Sequence, residues 1–166
     1  MVKTHLIEFK LHGIRALVTG SASGIGLATA NRLARSGAHV AMNDLPTDAL
    51  ARTVGELEAQ GCRVDAVPGD LSESAKARDV GLKSLELLGG LDYLVNNAGA
   101  PGTRTPIPSA DLDALTDDFW DKMLRINLLS AFWMTKTLAA ALTHAKGAVV
   151  NTVSVSAFGG GASSTA

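Results

Sequence analysis

Short apolar runs rich in β-branched residues alternate along this chain with longer stretches in which apolar residues recur every three or four positions. The short runs are IRALVTG from Ile14, AHVAMND from Ala38, CRVDAVPGD from Cys62, LDYLVNNAG from Leu91 and GAVVNTVS from Gly147. Each ends in turn formers, which predicts five strands. Between them the period lengthens. Gly24 to Ser36 predicts a helix with Ile25, Ala28, Leu33 and Ala34 on one side and Gly37 at a left-handed cap position. A second helix is expected to open at Thr47 and close at Gly61, carrying Leu50, Val54 and Leu57 at i, i+4 and i+7. A third opens at Ser72 and carries Val80, Leu87 and Leu88.

The segment APGTRTPIPSADLDAL from Ala100 has prolines and no sustained period, which predicts a loop, and loops in this position border sites. A long helix follows from about Thr116 to about His144. Asp117 and Asp118 lie in its first turn, where carboxylates favour the helix dipole, and Phe119, Met123, Ile126, Trp133 and Leu138 give it a broad apolar face. Strands alternating with helices imply right-handed crossovers and a parallel sheet covered on both faces. The expected fold class is therefore α/β, a doubly wound sheet with strand order 3-2-1-4-5.

Composition narrows the picture. The 166 residues, 46% hydrophobic and 19% charged, suit one domain with a sizeable core. The 17 glycines and 4% aromatic content fit helices lying close on a sheet. With 15 Lys+Arg against 16 Asp+Glu and no basic block, there is no footprint for nucleic acid. No long apolar stretch is free of charge and the first residues lack a signal-peptide pattern, so no membrane partner and a cytoplasmic location are expected. Cys62 is alone and reads as a buried small hydrophobe, and the four histidines are too scattered to suggest a metal site.

The chemistry concentrates in loops. TGSASGIG, Thr19 to Gly26, joins the first strand to the first helix. Gly20 permits a tight turn, Gly24 lets the backbone approach a pyrophosphate, and Gly26 lets the helix pack on the strand. Amides at the helix start then face phosphate, with Ser23 and Ile25 among the cofactor-binding candidates. The plain alternative is a glycine-rich turn with no ligand. Asp44 lies 18 residues after Gly26, close to the spacing of an acid that binds the adenosine ribose hydroxyls. An acid there repels a 2′-phosphate, and neither Ser23 nor Leu45 supplies a positive charge, so NAD is favoured over NADP. Otherwise Asp44 is a helix cap or a solvated strand end.

TGSASGIG, GDL, NNAG, a mid-helix INL and NTVS occur in the order and approximate spacing seen in short-chain dehydrogenases/reductases, and the chain resembles that family from about Gly13 to Ala166. The resemblance implies an NAD(P)-binding Rossmann fold and an oxidoreductase that moves a hydride between NAD(H) and a small-molecule secondary alcohol or ketone. It makes Asp70 and Leu71 neighbours of the adenine ring and puts Asn97, Ala98 and Gly99 against the adenosine ribose, with Asn96 to Gly99 steadying the central strands. Asn127 matches the helix-distorting Asn whose main-chain carbonyl holds a relay water; the alternative is a polar residue satisfied within the helix packing. Ser154 matches the serine that hydrogen-bonds the substrate oxygen, with Ser156 as competitor and Val153 where many relatives carry a second serine.

In the family a tyrosine lies about thirteen residues after that serine and a lysine follows four later, which places the tyrosine one residue beyond Ala166. Tyr93 sits in the fourth strand and is followed by Asn97 rather than Lys. The expectation is a C-terminally incomplete Rossmann domain, with its fifth strand an unprotected edge and the face of its long helix uncovered. A homodimer or homotetramer is expected of the complete protein. The rival reading is a truncated, catalytically inactive dinucleotide-binding or interaction module. A glycine-rich domain that binds no nucleotide would need Asp44, Asp70 and two glycine-bearing loops to coincide by accident.

Overall fold

The computed structural model of the chain describes residues 10–103, 107–108 and 111–154. Strands and helices alternate as β1 (Arg15–Thr19), α1 (Gly24–Arg35), β2 (His39–Asp44), α2 (Asp48–Glu58), β3 (Arg63–Pro68), α3 (Ser74–Leu88) and β4 (Tyr93–Asn96). After a short 3-10 turn at Leu112–Ala114 come α4 (Asp117–Leu124), a π-helical turn at Arg125–Leu129, α5 (Ser130–Ala145) and β5 (Ala148–Asn151). The strands pair in parallel in the order β3-β2-β1-β4-β5, as the sequence pattern predicts.

The pleat divides the sheet's side chains between two cores. Ala16, Val18, Val40, Met42 and Val64 meet Ala30 and Ala34 of α1 and Leu50, Val54 and Leu57 of α2. Leu17, Ala41, Val67 and Leu94 face the other way, against Ala77, Val80 and Leu88 of α3 and Met134, Leu138 and Leu142 of α5. Strands buried on both faces read as nearly continuous apolar runs, which is why the short runs were recognisable. Full burial of a side chain such as Leu17 or Leu94 stabilises the fold by about 1.5–3 kcal/mol each.

Two expectations need correction. The face that α1 buries is Gly26, Ala30 and Ala34, whereas Ile25 is 68% exposed and Ala28 is exposed as well. The helix rests so close to the sheet that only small side chains fit between them, and the larger Leu27 and Leu33 pack at the flanks. Cys62 is only partly buried, against the edge of the first core.

Thr116 caps α4 by accepting a hydrogen bond from the Phe119 amide at 3.2 Å, and Asp117 and Asp118 occupy the first turn. On the long helix, Leu138 is buried while Phe119, Met123, Ile126 and Trp133 are half-buried. The helix also presents Leu124, Leu128 and Phe132 to solvent. Among the described residues all four of β5 are exposed, and β5 forms an outer edge of the sheet. Among the described residues no helix is long and apolar enough to cross a membrane.

At the end of the sheet where β1 and β4 begin, Arg15 and Asp92 form a double clamp. The Asp92 carboxylate accepts from Arg15 Nε at 2.9 Å, Nη2 at 3.0 Å and the Arg15 amide at 2.8 Å, and Arg15 Nη1 donates to the Gly89 carbonyl at 2.9 Å. The guanidinium hydrogen bond holds the Asp92 carboxyl below its ordinary pKa, against the opposing effect of burial. Asp92→Asn should destabilise the fold by about 1–3 kcal/mol, since charged hydrogen bonds are lost. A depressed carboxyl pKa stabilises fully above the unfolded value of about 3.9, and this contribution disappears as pH falls towards the folded value. Thermal unfolding between pH 7 and pH 3 should therefore show the wild type converging on the variant as the medium is acidified.

Candidate functional site

The turn after β1 is built around contacts too close for larger residues. A Cβ on Gly26 would overlap the Gly20 carbonyl oxygen and lie 2.5 Å from Asn97 Nδ2, and one on Gly20 would lie 2.8 Å from Ala98 Cα. The first turn of α1 is thereby pressed onto the chain leaving β1. Gly24 opens the helix at φ +54°, and nothing lies within 4 Å of where its Cβ would be. Ser23 precedes it in extended conformation without a side-chain cap bond, and Ser23, Gly24 and Ile25 are all exposed. The amide end of α1, where the helix dipole is positive, is thus left clear for an anion.

Asp44 closes β2 directly beside this turn. Its Oδ2 accepts from the Ala22 amide at 2.8 Å and its Oδ1 from the Leu45 amide at 2.8 Å. A carboxylate so held is fixed at the rim of the glycine turn, with lone pairs remaining for further donors. Leu45 beside it is exposed. One strand further out, the Asp70 carboxylate accepts from the amide and the hydroxyl of Ser72, both at 2.8 Å, shaping the turn into α3. The Leu71 side chain is 5% exposed and packs in the second core.

The loop leaving β4 is bolted to β1 on the other side. Asn97 Nδ2 donates to the carbonyls of Thr19 and Gly20, both at 3.2 Å. The Thr19 hydroxyl accepts from the amides of Asn97 and Ala98 at 3.0 Å each. Asn96 Nδ2 reaches Asn151 Oδ1 on β5 at 2.9 Å and Thr135 Oγ1 on α5 at 3.2 Å. Thr152 then donates through its hydroxyl to Asn97 Oδ1 at 3.2 Å and through its amide to the Asn96 carbonyl. Ser154, two residues on, is exposed at this same edge of the sheet, and Ser156 lies outside the described residues.

Asn127 stands at the middle of the π-helical turn. Its side chain exchanges two hydrogen bonds with the backbone of Ala100, Nδ2 to the carbonyl and Oδ1 from the amide, each at 3.0 Å, and Nδ2 also reaches the Met123 carbonyl at 3.1 Å. Gly99 lies against it, since a Cβ there would be 2.9 Å from Asn127 Oδ1. Widened turns of this kind interrupt the i to i−4 ladder and recur at functional positions. The candidates from the loops after β1, β2, β4 and β5 and from the π turn are thus gathered at one edge of the sheet. Thr19 and Thr152, which tie the loops together, were not anticipated, and a lone threonine at a strand end carries no distinguishing signal.

Residues 15–166 match the short chain dehydrogenase family. The human dehydrogenase/reductase SDR family member 2, mitochondrial, is 33% identical over 143 residues, covering 86% of this chain and 49% of that protein. A short chain dehydrogenase from Burkholderia cenocepacia, solved in complex with NADP, superposes with a TM-score of 0.82 at 34% identity, over 93% of this chain and 61% of that one. A 7α-hydroxysteroid dehydrogenase complexed with NADH and 7-oxo glycochenodeoxycholic acid gives a TM-score of 0.83 at 25% identity, over 94% and 59%.

The chain belongs to the short-chain dehydrogenase family. It spans about half the length of the curated relatives it matches, 49% in the human case.

The geometry of the glycine turn makes a differential prediction. Gly26→Ala forces backbone apart and should cost about 1–3 kcal/mol, as overpacking does. Gly24→Ala meets open space and bears only the strain of its left-handed conformation, about 1 kcal/mol. Chemical denaturation of the two variants should rank them in that order.

Proposed function

We propose that the protein is an oxidoreductase moving a hydride between NAD(H) and a secondary alcohol or ketone. The observation that carries this reading is the convergence of the open amide end of α1 with the Asp44 carboxylate, 2.8 Å from the Ala22 amide, within the shared family frame. The relatives solved with NADP and with NADH support a nicotinamide dinucleotide as ligand. Family membership favours this reading over an inactive interaction module.

The residues present suit such a ligand. Amides of Ser23, Gly24, Ile25 and Gly26, with the turn at Gly20, would hold the pyrophosphate, where fixed dipoles favour negative charge. Asp44 would accept hydrogen bonds from the adenosine ribose hydroxyls and disfavour a 2′-phosphate by like-charge repulsion, with Leu45 adding no compensating charge. NAD is preferred on this account. Asp70 and Leu71 would border the adenine, Leu71 through its backbone because its side chain lies in the core. Asn97, Ala98 and Gly99 would line the adenosine ribose. When bound, the nicotinamide supplies the hydride or accepts it.

At the reacting end, Ser154 would donate a hydrogen bond to the substrate oxygen and stabilise charge developing there, as an oxyanion donor does. The Asn127 main chain would hold a water for proton relay, in a turn kept in place by its side-chain bonds to Ala100. Serine is a weak acid, so reduction also needs a proton donor. Tyr93 does not serve, because it packs against the first core. Assembly as a homodimer or homotetramer and a cytoplasmic location complete the reading.

The test is cofactor selectivity in the protein at its full natural length, followed through NADH consumption with a panel of ketones. Asp44→Asn keeps an acceptor for the Ala22 amide while removing the charge. The NADH over NADPH preference in kcat/KM should then fall by about tenfold or more, the scale of one relieved charge repulsion. Absence of turnover with either cofactor across the panel would count against the proposal.

A further inference from the structure

Asn43 lies inside β2 between Met42 and Asp44 and is 1% exposed. Its neighbours along the strand, Val40, Ala41 and Met42, are apolar and fully buried. A primary amide in such a place is costly unless it is hydrogen-bonded, and an apolar residue would serve the core better. The amide is used to cross between strands. Nδ2 donates to the Val67 carbonyl at 2.9 Å and to the Gly69 carbonyl at 3.2 Å, where the chain leaves β3.

The backbone of the same residue reaches the opposite way. The Asn43 carbonyl accepts from both the amide and the hydroxyl of Ser21 at 3.0 Å each, and Ser21 is completely buried in the turn after β1. Adjacent Asp44 repeats the pattern, with its carboxylate on the Ala22 amide and its carbonyl accepting from the Gly69 amide at 2.9 Å. Gly69 has no slack towards α3, because a Cβ there would overlap Val80 Cγ2. One dipeptide therefore joins the turn after β1 to the turn after β3, with the Asn43 side chain holding the β3 side and the Asp44 side chain the β1 side.

We infer that Asn43 is a positioning residue for the adenosine half of the dinucleotide: it locks the Gly69–Asp70–Leu71 turn to the Ser21–Ala22 turn at the separation that admits the adenine and its ribose. This rests on the cofactor reading given above. Asn43 acts through the two turns and not by touching the ligand, since its Nδ2 is engaged by two carbonyls. Its influence should fall on the adenosine end and spare the nicotinamide end, which is bordered by other strands.

Calorimetric titration of the full-length protein with NADH, ADP and reduced nicotinamide mononucleotide separates these ends. Asn43→Ala should weaken NADH and ADP by about tenfold, the scale of one buried hydrogen bond, and change the mononucleotide by less than about twofold. Equal loss for all three ligands, or no loss for ADP, overturns the positioning role while leaving the cofactor reading intact. Failure of the wild type to bind NADH or ADP overturns both. A second measurement uses the wild type alone and so survives a variant that does not fold. Exchange of the Asn43 side-chain amide protons should slow severalfold on adding ADP, and unchanged exchange overturns the inference.

Discussion

Asn97 donates to the carbonyls of Thr19 and Gly20 from one side, and on the other the first turn of α1 sits on that same Gly20 carbonyl with no room for a Cβ at Gly26. This contact sets where the helix begins relative to β1, and hence where its unpaired amides point. A methyl group at residue 26 would lift the helix from the strand. The pieces that depend on the contact include the small-residue face of α1, the rim formed by Asp44 and the path of the loop after β4. An ordinary packing constraint is thereby converted into a fixed electrostatic field at one edge of the sheet.

Around that edge, side chains with short polar ends take over from apolar packing. Thr19, Asn43, Asn97 and Thr152 each bond backbone or side-chain partners on a neighbouring strand or loop, and Asn96 does so through its Nδ2 alone. Buried amides and hydroxyls fix position more narrowly than apolar contacts do, because a misplaced hydrogen bond costs more than a shifted methylene. The opposite end of the sheet is held by charge instead, through Arg15 and Asp92. The two ends are therefore fixed by different means, one by an ion pair and the other by close backbone contacts and short polar side chains.

Much of this was legible in the sequence. Doubly buried parallel strands leave unbroken apolar runs, and glycines mark the turns, so all five strands and their order could be read. The spacing from Gly26 to Asp44 placed the acid beside the glycine turn because the intervening helix and strand have little freedom in length. The inner face of α1 was legible at Gly26 and Ala34 and misread at Ile25 and Ala28, since small residues such as Ala30 give no apolar contrast, while Ile25 looks like a core residue and is not. The π turn could be expected only from the likeness of the INL segment to the family, as propensity marks Asn127 merely as a poor helix former. Asn43 was passed over because a single polar residue in a strand looks like noise until its partners on β3 are seen.

The proposed function requires that the ends of β1, β2, β3 and β4 form one dinucleotide seat. Backbone hydrogen exchange of the full-length protein with and without NADH addresses it most directly, because it reports every loop at once. NADH should add protection at Ala22, Gly24 and Ile25, in the Asp44–Leu45 and Asp70–Ser72 turns, and at Asn97 to Gly99. Exchange unchanged at these amides in saturating NADH, or protection confined to the exposed face of α4 and α5, would contradict it.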